Sequence, residues 1–231
     1  LKRFEEAVEC YDSAIALHPG YADAFNNRGV TLNNLGRYEE ALESYEQAIV
    51  LNPDLVDAFN NRGTTLHDLK RYQEALESFE RATSLDPDFA DAFNNRGTTL
   101  HVLGEFEAAR DSYQRAIELN PDFAEAYYNR ARTLEDLEQD EAALESYDKA
   151  IALRPDYAEA FNNRGITLKR LKQYEASLES YAEAIRLKPD FADAFNNRGL
   201  ALKGLRRYEE ALESYRKALA LEPDSVEAQW N

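Results

Sequence analysis

The sequence predicts an all-α solenoid of stacked helix pairs, and three observations predict it. Seven prolines fall at 19, 53, 87, 121, 155, 189 and 223 of the 231 residues, with every gap 34. Between successive prolines, apolar residues recur at helical spacings of three and four. Small residues recur at the same places in each interval. A constant period of this length marks units that stack on their neighbours rather than one closed core. The units run 22–55, 56–89, 90–123, 124–157, 158–191 and 192–225. Residues 1–21 read as the second helix of a preceding unit, and 226–231 as the start of a following one.

The unit beginning at Val56 shows how the two helices arise. Phe59, Leu66 and Leu69 give a first helix a narrow apolar stripe, and Tyr72, Ala75, Leu76, Phe79 and Ala82 give a second helix its buried face. Counting Val56 as place 1, place 8 is Gly29, Gly63, Gly97, Gly165 and Gly199, with Ala131 in the fourth unit. Small residues at places 8, 20 and 27 allow close helix approach, and aromatics at places 4 and 24 fill the space between. Pro followed by Asp, as at Pro53-Asp54, ends one helix and offers an N-cap to the next. Three residues later stands another acid (Asp57, Asp91, Glu125, Glu159, Asp193, Glu227), a spacing similar to a capping box that also suits the helix dipole. Asp140 replaces the Tyr or Phe of the other units, so the fourth unit is expected to pack most loosely.

These residues resemble the tetratricopeptide repeat: a 34-residue helix-turn-helix with an aromatic at place 4, Gly at 8, Ala at 20, an aromatic at 24, Ala at 27 and Pro at 32. The resemblance covers essentially the whole chain. Two places depart from it: place 7, often Leu in the family, is Arg throughout, and place 11, often Tyr, is Leu throughout. The resemblance implies a right-handed superhelix whose first helices line a concave groove, reached mainly through places 2, 5, 6, 9, 12 and 13.

Composition excludes several function classes. A net charge of −17, from 44 acidic and 27 basic side chains, opposes a phosphate backbone, so no nucleic-acid partner is expected. No apolar run reaches the roughly 18–20 residues that span a bilayer. With 44% hydrophobic residues the chain is too apolar for a disordered acidic tail. The single Cys10 cannot form an internal disulfide, which suits a reducing compartment and favours the cytoplasm. There is no Met, and both ends cut a repeat, so the sequence reads as a fragment of a longer array.

Place 6 is Asn27, Asn61, Asn95, Asn129, Asn163 and Asn197, and Asn231 repeats it in the trailing stub. Place 5 adds Asn26, Asn60, Asn94, Asn162 and Asn196, interrupted by Tyr128. Each Asn in a helix interior costs about 0.6 kcal/mol relative to Ala, so something else favours them. A carboxamide carries a donor and an acceptor and can pair with a peptide backbone whatever that peptide's side chains. The row resembles the asparagine ladder in the superhelix of O-linked N-acetylglucosamine transferases, which holds extended protein substrates by their backbone. Six rungs suit a segment of roughly 15–20 residues. Two alternatives stand beside this reading: duplication that copied the pair, or amides that bond neighbouring helices.

The other candidates are weaker. The acids of place 2 line the groove, cap the helices, or both. The arginines of place 7, from Arg28 to Arg198, are expected to pair with the carboxylate of place 22 or to pack their stems. Ser at place 23 reads as a small residue beside a close neighbour. The remaining groove positions run from Asn33 and Asn34 through His67, His101 and Glu135 to Lys169, Arg170 and Lys203, becoming basic toward the C-terminus. His67 and His101 share place 12, but ridges about 10 Å apart hold them poorly for a metal, so no metal site or cofactor is expected. No phosphate loop, nucleophile elbow or catalytic constellation emerges. The expectation is a non-catalytic scaffold that binds an extended or helical polypeptide segment. The alternatives are a substrate-presenting arm of a larger enzyme of glycosyltransferase type, or a self-assembling array stacked head to tail.

Overall fold

A computed structural model describes residues 2–223. Among them lie thirteen α-helices: α1 Lys2–Leu17, α2 Ala22–Asn34, α3 Tyr38–Leu51, α4 Val56–Asp68, α5 Tyr72–Leu85, α6 Ala90–Val102, α7 Phe106–Leu119, α8 Ala124–Asp136, α9 Asp140–Leu153, α10 Ala158–Arg170, α11 Tyr174–Leu187, α12 Ala192–Gly204 and α13 Tyr208–Leu221. Each 34-residue period therefore holds one helix of 13 residues and one of 14. The chain divides into two compact units, 1–120 with α1–α7 and 121–231 with α8–α13. Within each, every first helix packs on its own second helix, on the preceding second helix where the unit contains one, and on the neighbouring first helices.

Close packing depends on place 8. A Cβ on Gly63 would stand 2.7 Å from the Phe79 ring, and one on Gly97 2.7 Å from Tyr113, inside van der Waals contact. These aromatics are the fully buried centre of each helix pair, with Tyr45, Tyr147 and Tyr181 in the equivalent place. In the first unit Tyr45 and Phe79 join Val8, Leu32, Leu42 and Leu66 in one cluster that runs from α1 to α5. In the second, Ala131 packs with Leu134, Ala143 and Tyr147, so here a methyl group is accommodated beside the buried ring.

The turn inside each pair has a requirement that the sequence pattern disguises. Gly36, Lys70, Gly104, Glu138, Lys172 and Arg206 all have left-handed backbone, with φ between 57° and 80°. The next residue's N–H then reaches back to close the helix end, as Arg37 N does to Leu32 O at 2.9 Å and Arg71 N to Leu66 O at 2.8 Å. Only two of the six are Gly, and the others carry the cost of that conformation.

The capping expectation is corrected. The N-cap residues are Tyr21, Leu55, Phe89, Phe123, Tyr157 and Phe191, each the second residue after a proline, and none makes a side-chain cap bond. The Asp instead belongs to a turn, where Asp54 N–H donates to Asn52 Oδ1 at 3.2 Å and Asp88 N–H to Asp86 Oδ1 at 2.9 Å. The second acids, Asp57 to Asp193, do lie in the first helical turn, where the dipole favours negative charge. Asp224, Glu227 and Asn231 lie outside the described residues.

Candidate functional site

The paired asparagines lie on the first helices and link consecutive repeats. In the first unit Asn61 Nδ2 donates to Asn26 Oδ1 and Asn95 Nδ2 to Asn60 Oδ1, both at 3.1 Å. In the second, Asn197 Nδ2 donates to Asn162 Oδ1 at 3.1 Å, and Asn163 Nδ2 to the Tyr128 hydroxyl at 3.0 Å. The rule is simple: the place 6 amide gives a hydrogen to the place 5 group of the repeat before it. Asn162 Nδ2 also donates to Asn163 Oδ1 at 3.1 Å, so three repeats of the second unit share one continuous chain of hydrogen bonds that ends on the Tyr128 hydroxyl.

This linkage accounts for the helix-breaking residue type. A buried hydrogen bond contributes about 0.5–1.5 kcal/mol net, enough to offset the propensity loss of about 0.6 kcal/mol. Place 5 is the inner member: Asn26, Asn94, Asn162 and Asn196 are buried and Asn60 is half-buried. Place 6 is the outer member: Asn61, Asn95, Asn129, Asn163 and Asn197 are half-buried, and Asn27, first in the row, is exposed. Bonding between neighbouring helices, one of the alternatives left open, is thus what these contacts do.

A second row joins place 12 to the buried Thr at place 10 of the next repeat. Thr65 Oγ1 bonds Asn33 Oδ1 at 3.2 Å, and His67 Nδ1 lies 3.0 Å from Thr99 Oγ1. Thr99 Oγ1 also bonds Asn95 O at 3.0 Å, so the imidazole and a main-chain carbonyl share one hydroxyl. The His67 ring meets the Tyr72 ring edge-on at 5.1 Å, and His101 meets Phe106 at 5.4 Å. Burial lowers the His67 pKa, partly opposed by Asp68. Beside His67, a depression of about 50 Å³ is lined by Thr64, Phe79, Asn95 and Thr98. No group of three or more potential metal ligands occurs among the described residues.

The basic end of the row divides. Lys169 is half-buried, with its pKa lowered by that burial, and Lys203 is exposed. Arg170 is tied up: its Nε donates to Asp140 Oδ2 at 2.7 Å, and its Nη2 reaches Glu135 Oε1 at 3.3 Å. At Asp140, where loose packing is expected, the next repeat supplies Arg170, which bonds both carboxylate oxygens of Asp140. Glu135 is fully engaged, accepting from the Tyr147 hydroxyl at 2.7 Å as well as from Thr167 Oγ1.

Three of the place 7 arginines, Arg28, Arg96 and Arg164, pair across repeats, and this corrects the expected partner. Arg28 Nε binds Asp12, and Arg164 Nε binds Asp148, each at 2.6 Å, while Arg96 Nη2 lies 3.6 Å from Glu80. All three acids stand at place 25 of the preceding repeat, not at place 22. The Ser of place 23 is more than a small residue. Ser44 accepts from Arg28 at 2.7 Å, Ser180 from Arg164 at 2.7 Å, and each donates to the carbonyl four residues earlier.

Comparison with known proteins agrees with this geometry. Profiles described as tetratricopeptide repeat match residues 22–55, 56–89, 192–225 and 78–111, and one described as TPR repeat matches 1–36, 99–138, 134–172 and 167–205. The chain belongs to the tetratricopeptide repeat family. No curated protein sequence matches it. Among solved structures it is similar to YrrB, described as a tetratricopeptide repeat protein with an unusual peptide-binding site. That match has 26% identity and a TM-score of 0.70, covering 82% of this chain and 97% of that one. It is also similar to MamA, with 26% identity and a TM-score of 0.67 over 70% of this chain and 94% of that one. PilW, a type IV pilus biogenesis factor, shares the fold at 22% identity and a TM-score of 0.81, covering 90% and 97%. No helix among the described residues of this tetratricopeptide repeat chain is long and apolar enough to cross a membrane.

Proposed function

We propose that the chain is a non-catalytic scaffold that binds an extended polypeptide segment along the face of its first helices, with the place 6 carboxamides as backbone contacts. The observation that carries this reading is the division of labour within each Asn pair. Place 5 is buried and takes one hydrogen from place 6, which leaves the half-buried amides of Asn61, Asn95 and Asn197 with a second N–H and an Oδ1 acceptor. The inter-repeat bond also fixes the orientation of each amide, so little freedom is lost when a ligand pairs with it. His67, His101, Lys169 and Lys203 flank the row and would read the segment's side chains, whereas Arg170 is committed to Asp140 and Glu135. Belonging to a repeat family, and likeness to YrrB with its peptide-binding site, support a protein ligand.

The test is capture on an array of overlapping 15-residue peptides, with wild type, with Asn61, Asn95, Asn129 and Asn163 changed to Ala, and with Asn26, Asn60 and Asn162 changed to Ala. Both variants lose inter-repeat bonds, but only the first loses the outer amides. Captured peptides should share no strict side-chain consensus, should fail when their backbone is N-methylated, and should be lost in the first variant while persisting in the second. Equal capture by the wild type and a folded first variant would refute the ladder.

A further inference from the structure

In the second unit an open cleft of about 350 Å³ lies between the second helices α11 and α13, above α12. Leu178 and Leu202 form its apolar lining, with Arg198, Arg207, Glu210 and Ala182 around them. Five repeats earlier in the sequence, Val8, Leu32, Arg28, Arg37 and Glu40 take the equivalent places. Glu179 and Glu213, which also line the cleft, correspond to Glu9 and Glu43. The charges therefore match one for one, with a single exception. Asp12, which binds Arg28 Nε at 2.6 Å, is replaced by Ala182.

That exchange leaves a cation without its anion. Arg37 and Arg207 make the same ion pair, with Glu40 and Glu210, each at 2.6 Å. Arg28 and Arg164 give Nε to a carboxylate and Nη1 to a serine, whereas Arg198 gives Nε to Ser214 at 3.0 Å and makes no ion pair among the described residues. Its guanidinium rests 5.4 Å from the Phe195 ring centre, and the longer-range pull of its charge lowers the Glu210 pKa, after the larger effect of Arg207. The surrounding acids do not exclude a further carboxylate, because the matching acids around Arg28 coexist with Asp12.

We propose that this cleft binds a carboxylate on a short apolar stem, the charge taking beside Arg198 the place that Asp12 takes beside Arg28, and the stem lying on Leu178 and Leu202. Arg is suited to this because its planar fork can hold a serine and a carboxylate at once. Two sources share the chemistry, an acidic side chain of a partner polypeptide and a free small carboxylic acid. The site lies among the second helices and is independent of the amide row.

The test follows the Arg198 Nε–H resonance of the 231-residue chain by NMR at constant ionic strength, titrating sodium propionate, the capped peptide Ala-Ala-Glu-Ala-Ala and its Gln counterpart. The expected result is a saturable shift with propionate, the Glu peptide or both, and none with the Gln peptide. It should vanish in Ala182→Asp, where the chain supplies its own carboxylate as at Asp148, and thermal stability should rise. A response to the peptide alone assigns a polypeptide partner, and one to propionate alone a small acid. Absence of a saturable shift with either, or an equal shift in Ala182→Asp, overturns the proposal. Should Ala182→Asp fail to fold, Arg198→Gln, followed through neighbouring Ser214 amide shifts, makes the same discrimination.

Discussion

The run of first helices α2, α4 and α6 in the first unit and the pair α8 and α10 in the second perform the same linking task with different chemistry. In the first, carboxamide meets carboxamide, Asn33 or His67 meets Thr, and an aromatic such as Tyr72 covers the turn. In the second, Tyr128 replaces the place 5 amide, Glu135 replaces the neutral place 12 residue, and Asp140 with Arg170 replaces the aromatic. Tyr174 and Gly204 show what the last exchange replaced. A Cβ on Gly204 would stand 2.8 Å from the Tyr174 ring, so place 17 of one repeat touches place 13 of the next. Large beside small and acid beside base are two solutions for one contact. The repeat fold constrains that contact's geometry and leaves its chemistry open.

The sharpest way to break this equivalence is to remove one half of the charged solution. Arg170→Ala strands Asp140 and Glu135, whose side chains are only 13% and 16% exposed. Loss of a fully buried partner costs roughly 3–5 kcal/mol. Arg170 is itself 45% exposed, so screening reduces the expected loss to about 2 kcal/mol, read as a lower urea midpoint. The double change Asp140→Tyr with Arg170→Gly, which copies the Tyr174 and Gly204 pair, should recover most of it. A double variant no more stable than Arg170→Ala would show that the two solutions are not interchangeable.

The place 8 exception gives the next effect. Gly165→Ala puts a methyl group 2.6 Å from the Tyr181 ring. Overpacking costs about 1–3 kcal/mol and the gain in helix propensity returns about 1, leaving a net loss of up to about 2 kcal/mol. Ala131 has already been accommodated beside Tyr147, so Ala131→Gly should cost about 1 kcal/mol from propensity alone. Opposite substitutions thus both destabilise, and denaturation midpoints of the two variants check it. A stabilised Gly165→Ala would mean that Tyr181 moves freely.

These contrasts also explain what the sequence disclosed. The prolines and place 8 glycines are punctuation and packing within one unit, and such features repeat with the unit, so they read directly as period and helix pair. The left-handed turn was hidden because Lys70, Glu138, Lys172 and Arg206 occupy it beside Gly36 and Gly104. The partners of Arg28, Arg96 and Arg164 were hidden because they stand in the repeat before, a register that no pattern inside a unit encodes. Arg170 lay in plain view as a groove cation, and only its contact with Asp140, 30 residues earlier, shows that its charge is already used. The Asn row was legible as a row, while its division into inner and outer members required the helices to be placed side by side.

The amide row itself can be probed where Tyr128 interrupts it. Tyr128→Phe keeps the ring against Tyr157, 4.8 Å away, and removes only the hydroxyl that accepts from Asn163 Nδ2. The expected cost is at most about 1 kcal/mol, the net value of one part-buried hydrogen bond. Asn60→Ala in the first unit likewise takes the acceptor from Asn95, so the two variants should lose similar amounts if hydroxyl and amide serve alike. A silent Tyr128→Phe would show that this hydroxyl adds nothing to the contact between α8 and α10.

The smallest effect is the dependence on pH at His67. Burial lowers its pKa in the folded chain below the value near 6.5 of an unfolded one, so the unfolded state takes up the proton more readily. Stability is therefore fully present above about pH 6.5 and falls as the pH drops through that value toward the folded pKa. Desolvation of the charged ring is the largest cause of this shift, with the Asp68 carboxylate opposing it. Asn33 fills the same place one repeat earlier and reaches Thr65 with a group that does not titrate. His67→Asn should accordingly flatten the stability profile between about pH 7.5 and 5.5 and leave the value at pH 7.5 nearly unchanged. An unaltered slope in that variant would place the titrating group elsewhere and reduce the exchange of His for Asn along place 12 to a matter of shape.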